Sequence, residues 1–137
     1  MPDRFAPVVA GSSVSRFDDG RICVLQGPTW ASVSAPNVAE EEVGIPVGFV
    51  AMLEGRPAAT GMSIPSQRGV FLIAGAVAPW ARGRGLYRAL VRARWDDAVA
   101  RGTPALVTQA NPETSYPILR RLGFEEVCEI TRLEDVR

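Results

Sequence analysis

The stretch VFLIAGAVAPWARGRGLY, from Val70 to Tyr87, holds the change of pattern on which the fold turns. Its first part, through Ala78, is a continuous apolar run, the mark of a strand covered on both faces and central in its sheet. Pro79 ends that run. Two arginines and two glycines then follow in four positions, Arg82-Gly83-Arg84-Gly85. From Gly85 to Arg101 the period becomes helical, with Tyr87, Leu90, Val91, Trp95, Ala98 and Val99 on one side and Arg and Asp between them. Gly102 is a natural stop.

Working outward, Ala105 to Gln109 reads as a strand, so the unit is strand, helix, strand, which favours a parallel pair with a right-handed crossover. A short helix from about Ser115 to Leu122, with Pro117 tolerated in its first turn, ends at Gly123, and Glu125 to Leu133 reads as a last strand. Upstream, Val47 to Leu53 and Pro57 to Ile64 are strand-like and meet at Glu54-Gly55-Arg56, a hairpin connection. Pro65 to Arg68 makes a second turn. The class is therefore α/β (α+β) with a mixed sheet. Residues 1–46 are the least readable part, with two short strands plausible at Ile22 to Leu25 and Trp30 to Val33. Glu40, Glu41 and Glu42 read as a solvated loop or helix start.

Composition bounds the rest. With 137 residues and 47% hydrophobic content, one domain over 1–137 is expected. The 15 acidic residues balance 15 basic ones, all arginine, so no whole-chain field attracts nucleic acid or an anionic membrane. The absence of His excludes a His-based triad, His-ligated zinc and a His base within this chain. No metal is expected. Cys23 and Cys128 do not suggest a disulfide scaffold, Val70 to Ala78 is too short to span a membrane, and Met1 to Ser12 lacks the features of a secretory signal. A cytoplasmic setting is the expectation.

Chemically, Arg82 to Gly85 lies where a strand gives way to a helix, so successive backbone N–H groups and the positive helix end can converge on an anion. Glycines let phosphate touch the main chain and arginines add charge, which suits a diphosphate. The same four residues also fit an ordinary turn with solvated arginines. Gly75 is either a weak point of the strand or a place where a bulge or ligand approaches the backbone.

The surrounding residues resemble the cofactor-binding motif of the GNAT superfamily of N-acetyltransferases, in which a strand ending in Val-x-Pro leads into R/Q-x-x-G-x-G/A and a helix. The match runs Val77-Ala78-Pro79-Trp80-Ala81-Arg82-Gly83-Arg84-Gly85-Leu86-Tyr87, with Tyr87 where Gly or Ala is usual. Downstream, Asn111 after a strand and Leu119 to Phe124 are similar to the family's helix ending in Gly-Phe. The resemblance covers about residues 45–133.

It implies acetyl-CoA as co-substrate, with pyrophosphate on the backbone N–H groups of Arg82, Gly83, Arg84, Gly85, Leu86 and Tyr87. The pantetheine arm then pairs like an extra strand with Ala76 and Val77. Asn111 faces the pantetheine amide or thioester, or else is a turn-capping residue. A backbone N–H of the central strand, Val77, serves the oxyanion. The family's usual proton donor is a Tyr at the position of Leu119, so the pattern breaks there. Tyr116, one turn earlier on the same helical face, is the candidate replacement, against a packing or surface role. Neither Glu113 nor Glu54 stands at an obvious base position.

The leading expectation is transfer of an acyl group to a primary amine of a small molecule or peptide by direct attack. The alternative is a GNAT-fold module that binds acyl-CoA without turnover, and a nucleotide-binding module ranks third because there is no Walker lysine and no suitably placed acidic residue for a ribose. Residues 125–137 suffice for one strand but not a closing hairpin, so an edge is left open. Either the N-terminal strands or a second copy of the chain covers it, the homodimer being favoured.

Overall fold

The computed structural model describes residues 13–28 and 46–135. Strands β1 (Ser13–Phe17), β2 (Ile22–Pro28), β3 (Val47–Leu53), β4 (Arg56–Pro65), β5 (Val70–Val77) and β6 (Leu106–Thr108) accompany helices α1 (Leu86–Ala100) and α2 (Ser115–Arg121). Among the described residues these strands form one sheet in chain order, β1-β2-β3-β4-β5-β6, antiparallel as far as β5 and parallel between β5 and β6. The mixed sheet and the strand-helix-strand unit are both present. At the β3–β4 hairpin Glu54 and Gly55 have φ of 47° and 85°, the double positive φ of a tight two-residue turn whose twist matches the strands.

Strand β3 alternates as a half-buried strand should, with Val47, Phe49, Ala51 and Leu53 inward. Strand β4 would do the same but for a register shift against β3, where Ala51 pairs with Ala59 and Met52 with Pro57. The skipped residue flips the side-chain parity, which is why Ala58 and Ala59 are both buried. A second shift lies between β4 and β5. Thr60 pairs with Ala76 and Met62 with Ile73, so Ala74 and Gly75 together oppose Gly61 alone.

Helix α1 buries a stripe at helical spacing, Leu86, Ala89, Leu90, Ala93, Arg94 and Ala98, against the sheet. Leu86, Leu90 and Ala93 share one buried cluster with Val24, Phe49 and Ala51. Burying a side chain the size of Leu90 contributes about 1.5–3 kcal/mol, so this contact fixes the helix start against β2 and β3. Val70, Leu72 and Ala98 form a second cluster, joined by Leu106 and Phe124.

Three expectations are corrected. Residues 124–135 contain no strand: Glu125 to Leu133 finds no neighbouring backbone among the described residues, and Val127 and Leu133 are 92% and 90% exposed. Second, β5 is not covered along its whole length, since Ala74, Gly75 and Ala76 are exposed past the point where β6 stops. Third, β1 and β2 lie at the opposite edge of the sheet from β6, so these N-terminal strands do not close that edge. Strand β1 was not anticipated, and the strand at residue 22 extends to Pro28. The expectations for Trp30 to Val33 and for Glu40 to Glu42 lie outside the described residues.

Candidate cofactor and active site

After β5, Ala78 N–H makes a last ladder bond to Ala58 O at 2.8 Å, and Pro79 opens a single 3₁₀ turn that buries Ala81 completely. Arg56 stacks on the Trp80 ring at 4.0 Å and ties the start of β4 to this turn. With Ala81 fixed below, Arg82 to Gly85 stand exposed above it. Gly83 and Gly85 have φ of 75° and 81°, a backbone that L side chains rarely adopt, and a Cβ at either would meet no atom within 4 Å. The glycines therefore serve the backbone path and leave open space over it. Gly85 is the N-cap of α1 and offers no side chain to the first N–H groups of the helix, and no acidic residue lies in the first turn. Among the described residues none caps those N–H groups or pairs with the positive helix end, and both face outward. Arg82 and Arg84 have no ion-pair partner among the described residues, and an open cleft of about 1500 Å³ runs from Arg84 along α1 past Arg88 to Arg121.

The second feature is a split in the sheet. Strand β6 pairs with β5 only from Val70 to Leu72, and the Thr108 hydroxyl donates to Leu72 O at 3.0 Å where the paired stretch ends. From Ile73 to Val77 the outer edge of β5 has no strand beside it among the described residues. Because Ala78 and Ala76 turn their backbone groups toward β4, alternation turns those of Val77 and Gly75 to the open edge. Ala76, between them, presents a small exposed side chain. This edge leads from the split directly to the loop at Arg82.

Past the end of β6, Asn111 caps the turn before α2: its Oδ1 accepts from Glu113 N–H at 2.9 Å and its backbone N–H donates to Ser115 Oγ at 3.0 Å. The side-chain NH₂ is left for a further acceptor. On α2, Leu119 is buried while Tyr116 is partly exposed, and its hydroxyl donates to Glu126 Oε2 at 3.0 Å. That hydrogen bond, with desolvation and the nearby negative charge, raises the phenol pKa and keeps the proton on. Among the described residues no three acidic or cysteine side chains group as a metal site.

The residue that sequence reasoning missed is Arg94. It is 2% exposed, and among the described residues no carboxylate pairs with it. Its Nε donates to Leu90 O and its Nη1 to Met62 O, each at 3.2 Å. A Cβ at Gly61 would lie 3.0 Å from Arg94 Nη1, so the guanidinium takes up the space of a side chain there. Burial lowers its pKa from the usual guanidinium range, and burial likewise raises that of Tyr87, whose ring edge sits 3.4 Å from the position a Cβ would take on Gly75. The signal was present in spacing: Leu86, Leu90, Arg94 and Ala98 form one i, i+4 row, apolar but for the arginine.

No protein-family model and no curated protein matches the chain. Solved structures do. The aminoglycoside N-acetyltransferase AAC(6')-Iy, in complex with the bisubstrate analogue CoA-S-monomethyl-acetylneamine, superposes with a TM-score of 0.62 at 17% identity, over 85% of this chain and 99% of that one. A predicted acetyltransferase with acetyl-CoA from Clostridium acetobutylicum gives 0.55 at 18% identity, over 65% and 64%. A transcriptional regulator from Bacillus halodurans C-125 gives 0.58 at 16%, over 66% of each chain. With the split parallel pair, the glycine loop at the helix start and these likenesses together, the chain has the fold of the GNAT superfamily of acetyltransferases.

Proposed function

We propose that the protein is an acyl-CoA-dependent N-acyltransferase that takes acetyl from acetyl-CoA to a primary amine of a small molecule or peptide. One observation carries the reading: the outer edge of β5, unpaired among the described residues, runs from the split at Leu72 straight to a glycine-lined helix N-terminus that no described side chain caps. In this reading the backbone N–H groups of Arg82, Gly83, Arg84, Gly85, Leu86 and Tyr87 hold the pyrophosphate, with the Arg82 and Arg84 side chains adding charge. The pantetheine arm lies along Ala76 and Val77, and the Asn111 amide donates to it from past the end of β6. The Val77 N–H, with Gly75 beside it, faces the thioester carbonyl and stabilises the oxyanion as the amine attacks. Tyr116 gives its proton to the departing thiolate as the C–S bond breaks, and the proton lost by the attacking amine restores the phenol. A cytoplasmic setting, with Cys23 and Cys128 as free thiols, goes with this chemistry.

The β6 edge, open among the described residues, and the exposed apolar residues Val127, Ile130 and Leu133 support a homodimer in which a second copy covers this side. A second reading, binding of acyl-CoA without turnover, is favoured by Leu119 at the family's proton-donor position and by the engagement of Tyr116 with Glu126. Incubation with acetyl-CoA and an amine panel, with detection of released thiol, separates the two. Amine-dependent thiol release establishes the transferase. Saturable acetyl-CoA binding with none leaves the binding module.

A further inference from the structure

We infer that Arg94 is a positioning residue for the thioester end of the open β5 edge: from inside the core its guanidinium holds the Ala74–Gly75 bulge of β5, at a net cost to folding. The inference rests on the proposed reading of the β5 edge as the cofactor edge. Arg94 occupies the α1 row of Leu86, Leu90 and Ala98, where an apolar side chain of similar length would bury without loss of solvation. Its hydrogen bonds go to backbone only, one within its own helix and one to Met62, the residue of β4 that borders the bulge. The guanidinium fills the space beside Gly61, the single residue opposite the two-residue bulge, and Tyr87 closes on Gly75. Two residues along the same face of β4 the wholly buried Ser63 hydroxyl has no partner among the described residues. Ala74 meanwhile has φ 53°, a conformation that persists only where its surroundings impose it.

What the bulge does is change which N–H groups meet the cofactor. Leu72 faces β6, so uninterrupted alternation would bring Ala74 and Ala76 to the open edge. The extra residue brings Gly75 and Val77 there instead, a displacement of about 3.4 Å along the strand. That is more than the tolerance of one hydrogen bond. A bulge that relaxes takes the donors away from the carbonyl while the pyrophosphate loop stays in place.

The test compares acetyl-CoA with S-ethyl-CoA, which lacks the carbonyl, by titration calorimetry on the full chain, alongside thermal unfolding without ligand. The wild type is expected to prefer acetyl-CoA by about fivefold, the worth of one hydrogen bond of about 1 kcal/mol. In Arg94→Met the preference falls to about one while S-ethyl-CoA affinity stays within about twofold, and the apo Tm is unchanged or higher. Gly61→Ala, which displaces the guanidinium from the strand side, lowers the preference in the same way and keeps the question open to test if Arg94→Met does not fold. A retained preference in the folded variants overturns the inference, as does parallel loss of affinity for both ligands. Failure of the wild type to bind either ligand refutes the cofactor reading itself.

Discussion

Gly85→Glu puts the phosphate cradle to the sharpest test, because the structure separates its two effects. A Cβ at Gly85 would meet nothing within 4 Å, so any side chain fits sterically, and the folding penalty comes from φ 81° alone. A left-handed conformation costs an L residue about 1–2 kcal/mol, which for a domain of this size lowers Tm by about 3–8 °C. Gly85→Ala carries the same penalty without charge and is the matched control. The carboxylate of Gly85→Glu sits at the end of α1 that no described side chain caps and competes for the N–H groups proposed to hold pyrophosphate. Losing two charge-assisted hydrogen bonds at about 1.5–3 kcal/mol each weakens CoA binding by about 10²–10⁴-fold. Calorimetric titration of CoA into both variants, each first shown to be folded by circular dichroism, reads the difference. If folded Gly85→Glu binds CoA within about threefold of Gly85→Ala, the loop is an ordinary turn and the phosphate assignment is wrong.

Acetyl-CoA at about 100 times its Kd should stabilise the fold by roughly 2.7 kcal/mol. No thermal shift at millimolar ligand would refute the cofactor reading. Tyr116→Phe should lower turnover by about 10²-fold with little change in CoA affinity, and equal turnover removes it from the mechanism. Since Glu126 holds the phenol pKa up, Glu126→Gln lets that pKa fall, and the alkaline limb of kcat, which needs the protonated phenol, should move to lower pH; an unmoved limb means another group donates. Light scattering at micromolar concentration should give a dimer mass, and a monomer that binds acetyl-CoA fully discards the proposed partner copy.

The middle of the chain was legible because its patterns are unmixed. The run at Val70 admits only a strand, the spacing from Leu86 to Ala98 only a helix, and Glu54-Gly55 a tight turn. The glycine loop was legible for the same reason, as a sharp change of composition between two periodic segments. The ends failed for physical causes. Strand β1, Ser13–Phe17, is short and partly polar and gains its order from pairing with β2, a contact no local pattern encodes. In Glu125 to Leu133 the apolar residues Val127, Ile130 and Leu133 recur every third position, so the segment lacks the period of two that would give it one buried face. Arg94 was hidden among the arginines of α1, where Arg88 and Arg92 do face solvent. Only its place in the apolar row distinguishes it, and composition averages that away.

The sheet order carries a consequence for how the molecule assembles. Every pairing from β1 to β5 joins strands that are consecutive among the described ones, so the antiparallel part can form by successive closures. The β5–β6 pair alone waits for the whole crossover through α1, and three residues are all it gains. Loop closure at that cost, with so little reward, puts β6 at the low end of local stability. Amides of Leu106 to Thr108 should exchange with solvent well before those of β3 and β4 in the free protein. The wall opposite the β5 edge is then the last piece to fold and the first to open, and a ligand wedged between the two strands would act as the clamp that chain connectivity fails to provide.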